Sequence, residues 1–365
     1  MKTLLLLVTF LTAALSAYSF DEFNTYKWNR KNVIAENGKV DSNPWYEWWY
    51  YKVVLPKTNK SFFFVYGIVN PWDQEGKMEG TRSYVGMGDF ANKKQVEDKF
   101  GIDEFNARYD ETYVTVKGNV ATDKYLKGSI KGEDGHLYEW DIDIEKKWAF
   151  NSTGWATGRM ITNIEWYPAQ ADATCSGTII SAGEKHEFKD APCYQDRNWG
   201  NSFPKWWTWI VSNHFIDHPD TALAIGGGKP TLRGGFDFIE SVAIGLRHKG
   251  EDYTFRLNDF DHVRIDINFG KWEVLGVSNN VKVEIKAFAP KEKFMDLKFI
   301  TPDGREFHDY ETLTGNLKLK LYKRKFYLGR WELVDELESN HTGIEYGSPD
   351  EHDKNPLFTQ KKRIF

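Results

Sequence analysis

The chain has 365 residues, of which 28% are charged, and its formal net charge is −5. Acidic and basic residues are mixed along the whole length without a basic stripe, which excludes nucleic acid as an expected partner. Aromatic residues reach 16%, including 15 Trp, so we expect strands built around an apolar pocket. The length is enough for two ordinary domains.

The N-terminal segment has the pattern of a secretory signal peptide. A charged start at Met1–Thr3 precedes the apolar run LLLLVTFLTAALSA, and small residues follow it. That run is too short to span a bilayer comfortably. We therefore expect residues 1–19 to be a signal peptide cleaved between Ser16 and Ser19, and the mature protein to be secreted or periplasmic. A retained N-terminal anchor is the alternative.

An early aromatic cluster, PWYEWWYYK at residues 44–52, leads into SFFFVYG at 61–67 and predicts a β-hairpin. Alternate side chains of a strand share a face, and the set on one face is Trp45, Glu47, Trp49 and Tyr51. If this face is inward, burial raises the pKa of Glu47 and makes it a candidate proton donor. If it is outward, Glu47 faces water between aromatic edges.

Five later segments alternate apolar and polar residues. They are YVTVK at 113–117, LYEWDIDI at 137–144, VRIDIN at 263–268, VKVEIKA at 281–287 and LKLKL at 317–321. Each has the pattern of a half-buried antiparallel strand, and turn sequences separate them at short intervals. Residues 95–107 are the best helical candidate. We therefore predict an all-β fold, barrel or sandwich, with few short helices.

The segment EFKDAPCYQDRNWGNSFPKWWTW, at residues 187–209, carries the densest set of polar and aromatic side chains. In a strand over 193–199, one face would carry Tyr194, Asp196 and Asn198. An acid, a phenol and an amide on one face form a candidate catalytic centre. The alternative is that Asp196 is only a structural carboxylate, satisfied by Arg197 or by a backbone donor.

The strand that follows this segment is predicted to line an apolar cavity, because Trp207 and Trp209 share a face. The two cysteines, Cys175 and Cys193, can pair in an oxidising compartment and pin the start of the motif strand, or remain buried thiols. Residues 166–178 are poor in alternation. We place the domain junction there and divide the mature chain into residues 20–175 and 176–365.

Two further motifs carry no cofactor in our interpretation. His214 and His218 have a spacing that suits a metal on a helix, yet they follow a strand and precede Pro219, so we interpret them as loop residues. The glycines at 226–228 lack the Lys-Ser/Thr ending of a phosphate loop and predict a tight turn or close backbone packing. The sequence therefore assigns no metal and no cofactor.

Taken together, these segments resemble the tocopherol cyclase family, part of a lipocalin-like group that includes carotenoid hydratases and fungal Diels-Alderases. The resemblance rests on EWWY at 47–50, SFF at 61–63, FKDAP at 188–192, YQDRNWG at 194–200 and FPKW at 203–206. Two departures stand out. Trp48 occupies a position where the plant members carry Gly, and the plant members have plastid transit peptides.

The resemblance implies two lipocalin-like antiparallel β domains and the cyclisation of a prenylated hydroquinone to a chromanol. An acid protonates the side-chain alkene, and the phenol oxygen captures the carbocation without a cofactor. We expect Asp196 or Glu47 to be the acid, with Tyr194 and Asn198 orienting the phenol. The expected substrate contacts are Trp45, Trp49, Tyr51, Trp199, Trp207 and Trp209.

Two alternatives use the same pocket. An exported lipocalin-like carrier would bind an isoprenoid or lipid without changing it, and an isoprenoid hydratase would let water capture the cation. In all three cases the expected partner is a small apolar isoprenoid or prenylquinol. Peripheral membrane association is one way for the protein to obtain such a ligand.

Overall fold

The structure is a computed structural model, and it describes residues 21–28, 43–232 and 235–354. The expected signal peptide at 1–19 lies outside the described residues. Within them, helical structure is confined to five short 3-10 helices: Glu22–Asn24, Ile102–Glu104, Gly154–Ala156, Leu257–Asp259 and Lys291–Lys293. Across the same residues, no helix has the length and apolar character needed to cross a membrane.

The first sheet contains the antiparallel strands between residues 46 and 200. They are β1 (Tyr46–Leu55), β2 (Lys60–Val69), β3 (Arg82–Asp89), β4 (Lys94–Phe100), β5 (Phe105–Ala107), β6 (Tyr113–Val116), β7 (Asn119–Thr122), β8 (Tyr125–Lys131), β9 (Leu137–Trp148), β10 (Ile164–Ser181) and β11 (Glu184–Gly200). Their order is β4-β3-β2-β1-β11-β10-β9-β8-β7-β6-β5. Because β4 contacts β8, and β2 contacts β6, the sheet curls toward a barrel.

The second sheet contains the strands between residues 207 and 348. They are β12 (Trp207–Ser212), β13 (Ala222–Gly228), β14 (Ser241–His248), β15 (Glu251–Phe255), β16 (His262–Asn268), β17 (Lys271–Val277), β18 (Val281–Phe288), β19 (Met295–Asp296), β20 (Phe299–Ile300), β21 (Glu306–Lys323) and β22 (Glu332–Ser348). The order is β15-β14-β13-β12-β22-β21-β18-β17-β16, with β19 and β20 paired to β21. Contact between β14 and β16 curls this sheet too. The predicted all-β fold is confirmed, and it consists of two curled antiparallel sheets.

The structure moves the domain junction away from residues 175–176. Both strands around that point, β10 and β11, belong to the first sheet, and a disulfide between Cys175 and Cys193 joins them. The sheets change between Gly200 and Trp207. Residues 166–178 lack alternation because register shifts after Tyr167, Gln170 and Cys175 interrupt the period of two.

The predicted helix at residues 95–107 is wrong. The structure has strand β4, a 3-10 turn and strand β5 there. β4 lies at the edge of the first sheet, and all its residues are exposed or partly exposed. Without one buried face, the strand has no apolar alternation to reveal it, and pairing with β3 decides its conformation.

Three large apolar clusters and one small one form the interior of the described residues. One fills each sheet, and a third lies between the sheets and draws on both. Members of this third cluster include Trp48 and Phe63 from the first sheet, and Trp207, Trp209 and Leu313 from the second. The aromatic layer between the sheets surrounds the candidate site.

Candidate active site

A cavity of about 510 Å³ lies between the two sheets. Its aromatic lining includes Trp48, Tyr50, Phe63, Trp166, Trp207, Trp209 and Phe299. Its acidic lining includes Asp196, Asp309, Glu311 and Glu345. An apolar chamber of this size suits a small ligand, and buried acids within it are candidates for proton transfer.

Asp196 is the cavity acid contributed by the motif strand β11, and only 4% of its surface is exposed. Trp166 Nε1 and the Tyr194 hydroxyl donate to its Oδ2, at 2.8 and 2.9 Å. Trp209 Nε1 donates in turn to the Tyr194 oxygen, at 3.1 Å. Burial raises the pKa of Asp196 to about 7, although these donors oppose the rise. Near neutral pH this carboxyl therefore exists partly in its protonated, proton-donating form.

The other two members of the predicted face differ in position. Asn198 lines the cavity, and its Nδ2 lies 3.5 Å from Asp196 Oδ1. Tyr194 is buried behind the acid and is not among the residues that line the cavity. The structure therefore places Tyr194 to orient Asp196 and leaves Asn198 to face a ligand.

A second acidic group, here called the carboxyl cluster, consists of Asp309 and Glu311 of β21 and Glu345 of β22. Their carboxylate oxygens lie within 4.8 Å of one another. The Tyr50 hydroxyl donates to Glu311, and Trp207 Nε1 donates to Glu345. Burial raises the pKa of all three, to about 7 for Glu345, and repulsion between neighbouring carboxylates raises the pKa values of Asp309 and Glu311 further. The cluster therefore retains protons at neutral pH.

Lys52 is a buried amine two residues beyond Tyr50, on the same face of β1. Its Nζ lies 5.8 Å from the centre of the Tyr194 ring. Burial lowers the pKa of Lys52 to about 7, while the carboxylates of Glu311 and Asp172 act in the opposite direction. The amine therefore loses its proton in the same pH range as Asp196 and Glu345, and it supplies only part of a counter-charge.

Glycines give the aromatic walls their shape. A Cβ atom on Gly226 of β13 would lie 2.7 Å from the ring of Trp166, and one on Gly347 of β22 would lie 2.3 Å from the ring of Trp207. Neither distance is tolerated, so a larger residue would displace the indole that donates to Asp196 or to Glu345. The glycines at 226–228 end strand β13, and close packing is their structural role.

Glu47 lies on the opposite face of β1, inside the first sheet and outside the cavity. It is fully buried, and its carboxylate accepts hydrogen bonds from the backbone of Lys27 and Trp28 and from Trp45 Nε1. It also forms an ion pair with Arg197. The face of β1 that carries Glu47 is therefore the inward alternative, but it faces the core of the first sheet and not the cavity. Glu47 is therefore not placed to protonate a ligand in this cavity.

The predicted substrate contacts separate in the same way. Trp207 and Trp209 line the cavity. The others lie on the Glu47 side: they are Trp45, Trp49, Tyr51 and Trp199. The Arg197 guanidinium lies 5.0 Å from the ring of Trp49 and 4.2 Å from that of Trp199, and the Tyr51 hydroxyl donates to the Thr122 carbonyl. Trp45, Trp49 and Trp199 therefore contact the Glu47–Arg197 ion pair, and none of the four residues lines the cavity.

A family model described as tocopherol cyclase-like matches residues 82–348. The chain belongs to the tocopherol cyclase-like family. The resemblance seen in the sequence is thereby confirmed.

Two plant members of the tocopherol cyclase-like family are similar over most of the chain. "Probable tocopherol cyclase, chloroplastic" of Oryza sativa subsp. japonica is 25% identical over 365 residues, covering 84% of this chain and 76% of the rice protein. "Tocopherol cyclase, chloroplastic" of Zea mays is 24% identical over 363 residues, covering 84% and 75%. At family level, the chain is a cyclase-like enzyme.

Two solved structures also align with this family member. Kievitone hydratase from Nectria haematococca aligns with a TM-score of 0.47 and 12% identity, covering 84% of this chain and 90% of that one. CghA aligns with a TM-score of 0.49 and 8% identity, covering 85% and 89%.

Sequence reasoning missed several residues that line this cavity. Antiparallel pairing of β1 with β11 sets Tyr50 opposite Asp196 and Trp48 opposite Asn198, while β10 sets Trp166 opposite Asn198. The register between EWWYYK and YQDRNWG is the signal that would have found Trp48 and Tyr50, since paired residues share a face. The carboxyl cluster has no local signal, because its members stand among ordinary strand residues.

Proposed function

We propose that the protein is an intramolecular cyclase that closes a chromanol ring on a prenylated hydroquinone. The observation that carries the proposal is Asp196, a carboxyl group with a pKa near 7 inside an aromatic cavity. Alkene protonation needs an acid that keeps its proton at working pH, and a dry chamber that water does not enter freely. Membership of the tocopherol cyclase-like family supports the same reaction class.

Asp196 starts the proposed reaction by giving its proton to the trisubstituted alkene of the prenyl chain. The π-electron pair forms the new C–H bond, which leaves a tertiary carbocation on the substrate and a carboxylate on Asp196. Trp166 and Tyr194 already donate to Oδ2 of this carboxyl group and stabilise the anion as it forms. The donors therefore favour the charge-separated state.

Aromatic walls and a phenol oxygen complete the proposed cycle. The rings of Trp48, Trp207 and Trp209 line the cavity and can stabilise a cation through their faces. The phenol oxygen forms the ring C–O bond, and its proton returns to Asp196, directly or through the carboxyl cluster. Atoms and charge then balance, and the product is an isomer of the substrate.

Hydration is the second candidate function, and the carboxyl cluster is the observation that favours it. Three acids in one apolar chamber give a water molecule polar partners close to the same carbocation. Water capture would produce a tertiary alcohol in place of a ring. The two reactions share the protonation step and differ only in the oxygen that reacts.

An apolar rim supports the proposed substrate class. Trp155, Ile161, Ile239 and Leu257 line the cavity and are also exposed. We propose that a prenylated substrate enters the cavity across this rim, from a membrane or another lipid phase in contact with it. Secretory or periplasmic location is part of the same proposal.

The deciding experiment incubates the purified protein with prenylated hydroquinones and acyclic isoprenoids, followed by chromatography and mass spectrometry. We expect a product of unchanged mass that contains a new ring. A mass gain of one water identifies the hydratase. Substrate that binds tightly but is recovered unaltered from every incubation contradicts both enzymatic functions and identifies a carrier.

A further inference from the structure

His218, His248 and Asp335 converge at one end of the second sheet. His218 lies in the connection between β12 and β13, His248 ends β14, and Asp335 lies near the start of β22. Their potential ligand atoms all lie within 4.8 Å of one another. None of the three lines the cavity between the sheets. The group is therefore separate from the proposed cyclase site.

The donor set has the chemistry of a zinc site. Two imidazole nitrogens and one carboxylate oxygen are three of the ligands that Zn²⁺ uses in a tetrahedral site, and the fourth position is open to water. His248 Nε2 and Asp335 Oδ2 are 3.0 Å apart. Two ligands of one tetrahedral ion, each bonded at roughly 2.0 Å, lie roughly 3.3 Å apart. These two atoms already have nearly the required spacing.

The surroundings of His248 favour metal binding through Nε2. Its Nδ1 lies 2.7 Å from the Thr221 hydroxyl. With Nε2 bound to a metal, Nδ1–H would donate to Thr221, an outer contact that fixes the tautomer and the ring orientation.

The other two ligands have the freedom that binding requires. The His218 ring packs 5.5 Å from that of His248, and His218 is partly exposed in its loop, so the ring can rotate toward the ion. Lys249 Nζ lies 2.7 Å from Asp335 Oδ2, and its side chain is exposed. The lysine neutralises Asp335 without a metal and can move into water when a divalent ion takes its place.

We propose that His218, His248 and Asp335 bind Zn²⁺ or a divalent transition metal with the same preference for nitrogen ligands. Calcium and magnesium do not fit, because they require oxygen ligands. The ion would fasten the β12–β13 connection to β14 and β22. Asn213, where this connection begins, donates to the Ala173 and Cys193 carbonyls of the first sheet. The metal would therefore stabilise a segment that also joins the two sheets.

The test is calorimetric titration of the full chain, without a polyhistidine tag, with Zn²⁺. We expect one ion per chain and binding at least ten-fold weaker in His218→Ala, which removes a partly exposed side chain. His136→Ala removes an exposed histidine from the first sheet and should bind like the wild type. Lys249→Gln should bind more tightly, because it removes the competing cation.

Three results would overturn the proposal. One is the absence of saturable binding at one ion per chain. Another is unchanged affinity in His218→Ala, with circular dichroism showing the variant folded. The third is loss of binding in Glu345→Gln with retention in His218→Ala, which would place the ion in the carboxyl cluster. The first two results do not bear on the cyclase proposal, which product analysis tests separately.

Discussion

Asp196 and Glu47 are both buried acids on paired strands, and the difference between their surroundings separates a chemical role from a structural one. Glu47 faces the core of the first sheet and meets the guanidinium of Arg197, whereas Asp196 faces the cavity and meets only neutral donors. Arg197 follows Asp196 in the sequence but serves the other carboxylate, because adjacent residues of a strand point to opposite faces. Burial without a cationic partner raises the pKa of Asp196 to about 7, and its proposed chemical role rests on this difference.

The largest effect that tests this comparison is expected from Asp196→Asn. The amide keeps the shape of the side chain but has no acidic proton, so turnover should fall about 10²- to 10⁴-fold. Product formation under single-turnover conditions measures it. Glu47→Gln is the matched control on the opposite face, and its turnover per folded molecule should stay within a few-fold of wild type. Comparable turnover in wild type and Asp196→Asn would exclude Asp196 as the acid.

The next effect is on stability. Arg197→Met leaves the buried Glu47 carboxylate without its cation, so the free energy of unfolding should fall by about 3–5 kcal/mol. Urea denaturation measures the loss. The double variant Glu47→Gln/Arg197→Met removes both charges and should lose less than the sum of the single variants. Strictly additive losses would show that the two side chains do not stabilise each other.

The smallest effect is a shift of the pH profile. Because the pKa of Asp196 is about 7, its proton-donating form disappears as the pH rises through that value, and kcat/KM should fall on the alkaline side. Trp166 donates to the carboxylate and lowers this pKa. Trp166→Phe should therefore move the alkaline limb to higher pH. A shift to lower pH would contradict the assigned role of this indole.

The same raised pKa has a consequence for folding that serves as a control. Between about pH 4, where an unfolded Asp ionises, and about pH 7, the native state holds a proton at Asp196 that the unfolded state has lost. Stability should therefore fall as the pH rises through this window. In urea denaturation, the free energy of unfolding of Asp196→Asn should depend less steeply on pH. Part of the pH dependence should remain, because the carboxyl cluster also holds protons in the native state.

Local periodicity was enough to predict the β fold, and a short motif was enough to predict an acid that the structure buries in the lining of the cavity. Alternation in segments such as 281–287 survives in the structure because one face of each strand is buried. Parity within the motif strand brought Asp196 and Asn198 to one face. Both predictions depend on neighbours in sequence, which is where single-sequence reasoning is strongest.

The remaining features depend on pairing between distant segments. Parity separates Glu47 and Trp49 from Trp48 and Tyr50, but which of these two faces of β1 lines the cavity depends on how the two sheets dock. The carboxyl cluster needs β21 and β22 in register, with Glu311 opposite Glu345. The domain junction was misplaced because bulges in β10 imitate a break in the pattern.

The cavity is divided between the two halves of the molecule. Asp196 lies near the end of β11, the last strand of the first sheet in chain order. Trp207 and Trp209 belong to β12, the first strand of the second sheet, and only a short connection separates the two strands. A ligand held by both halves binds only when they are associated, so it favours association by mass action. Substrate would then act as a reversible crosslink between the two sheets. A rise in melting temperature on adding substrate would measure the stabilised association of the two halves as well as the occupancy of the cavity.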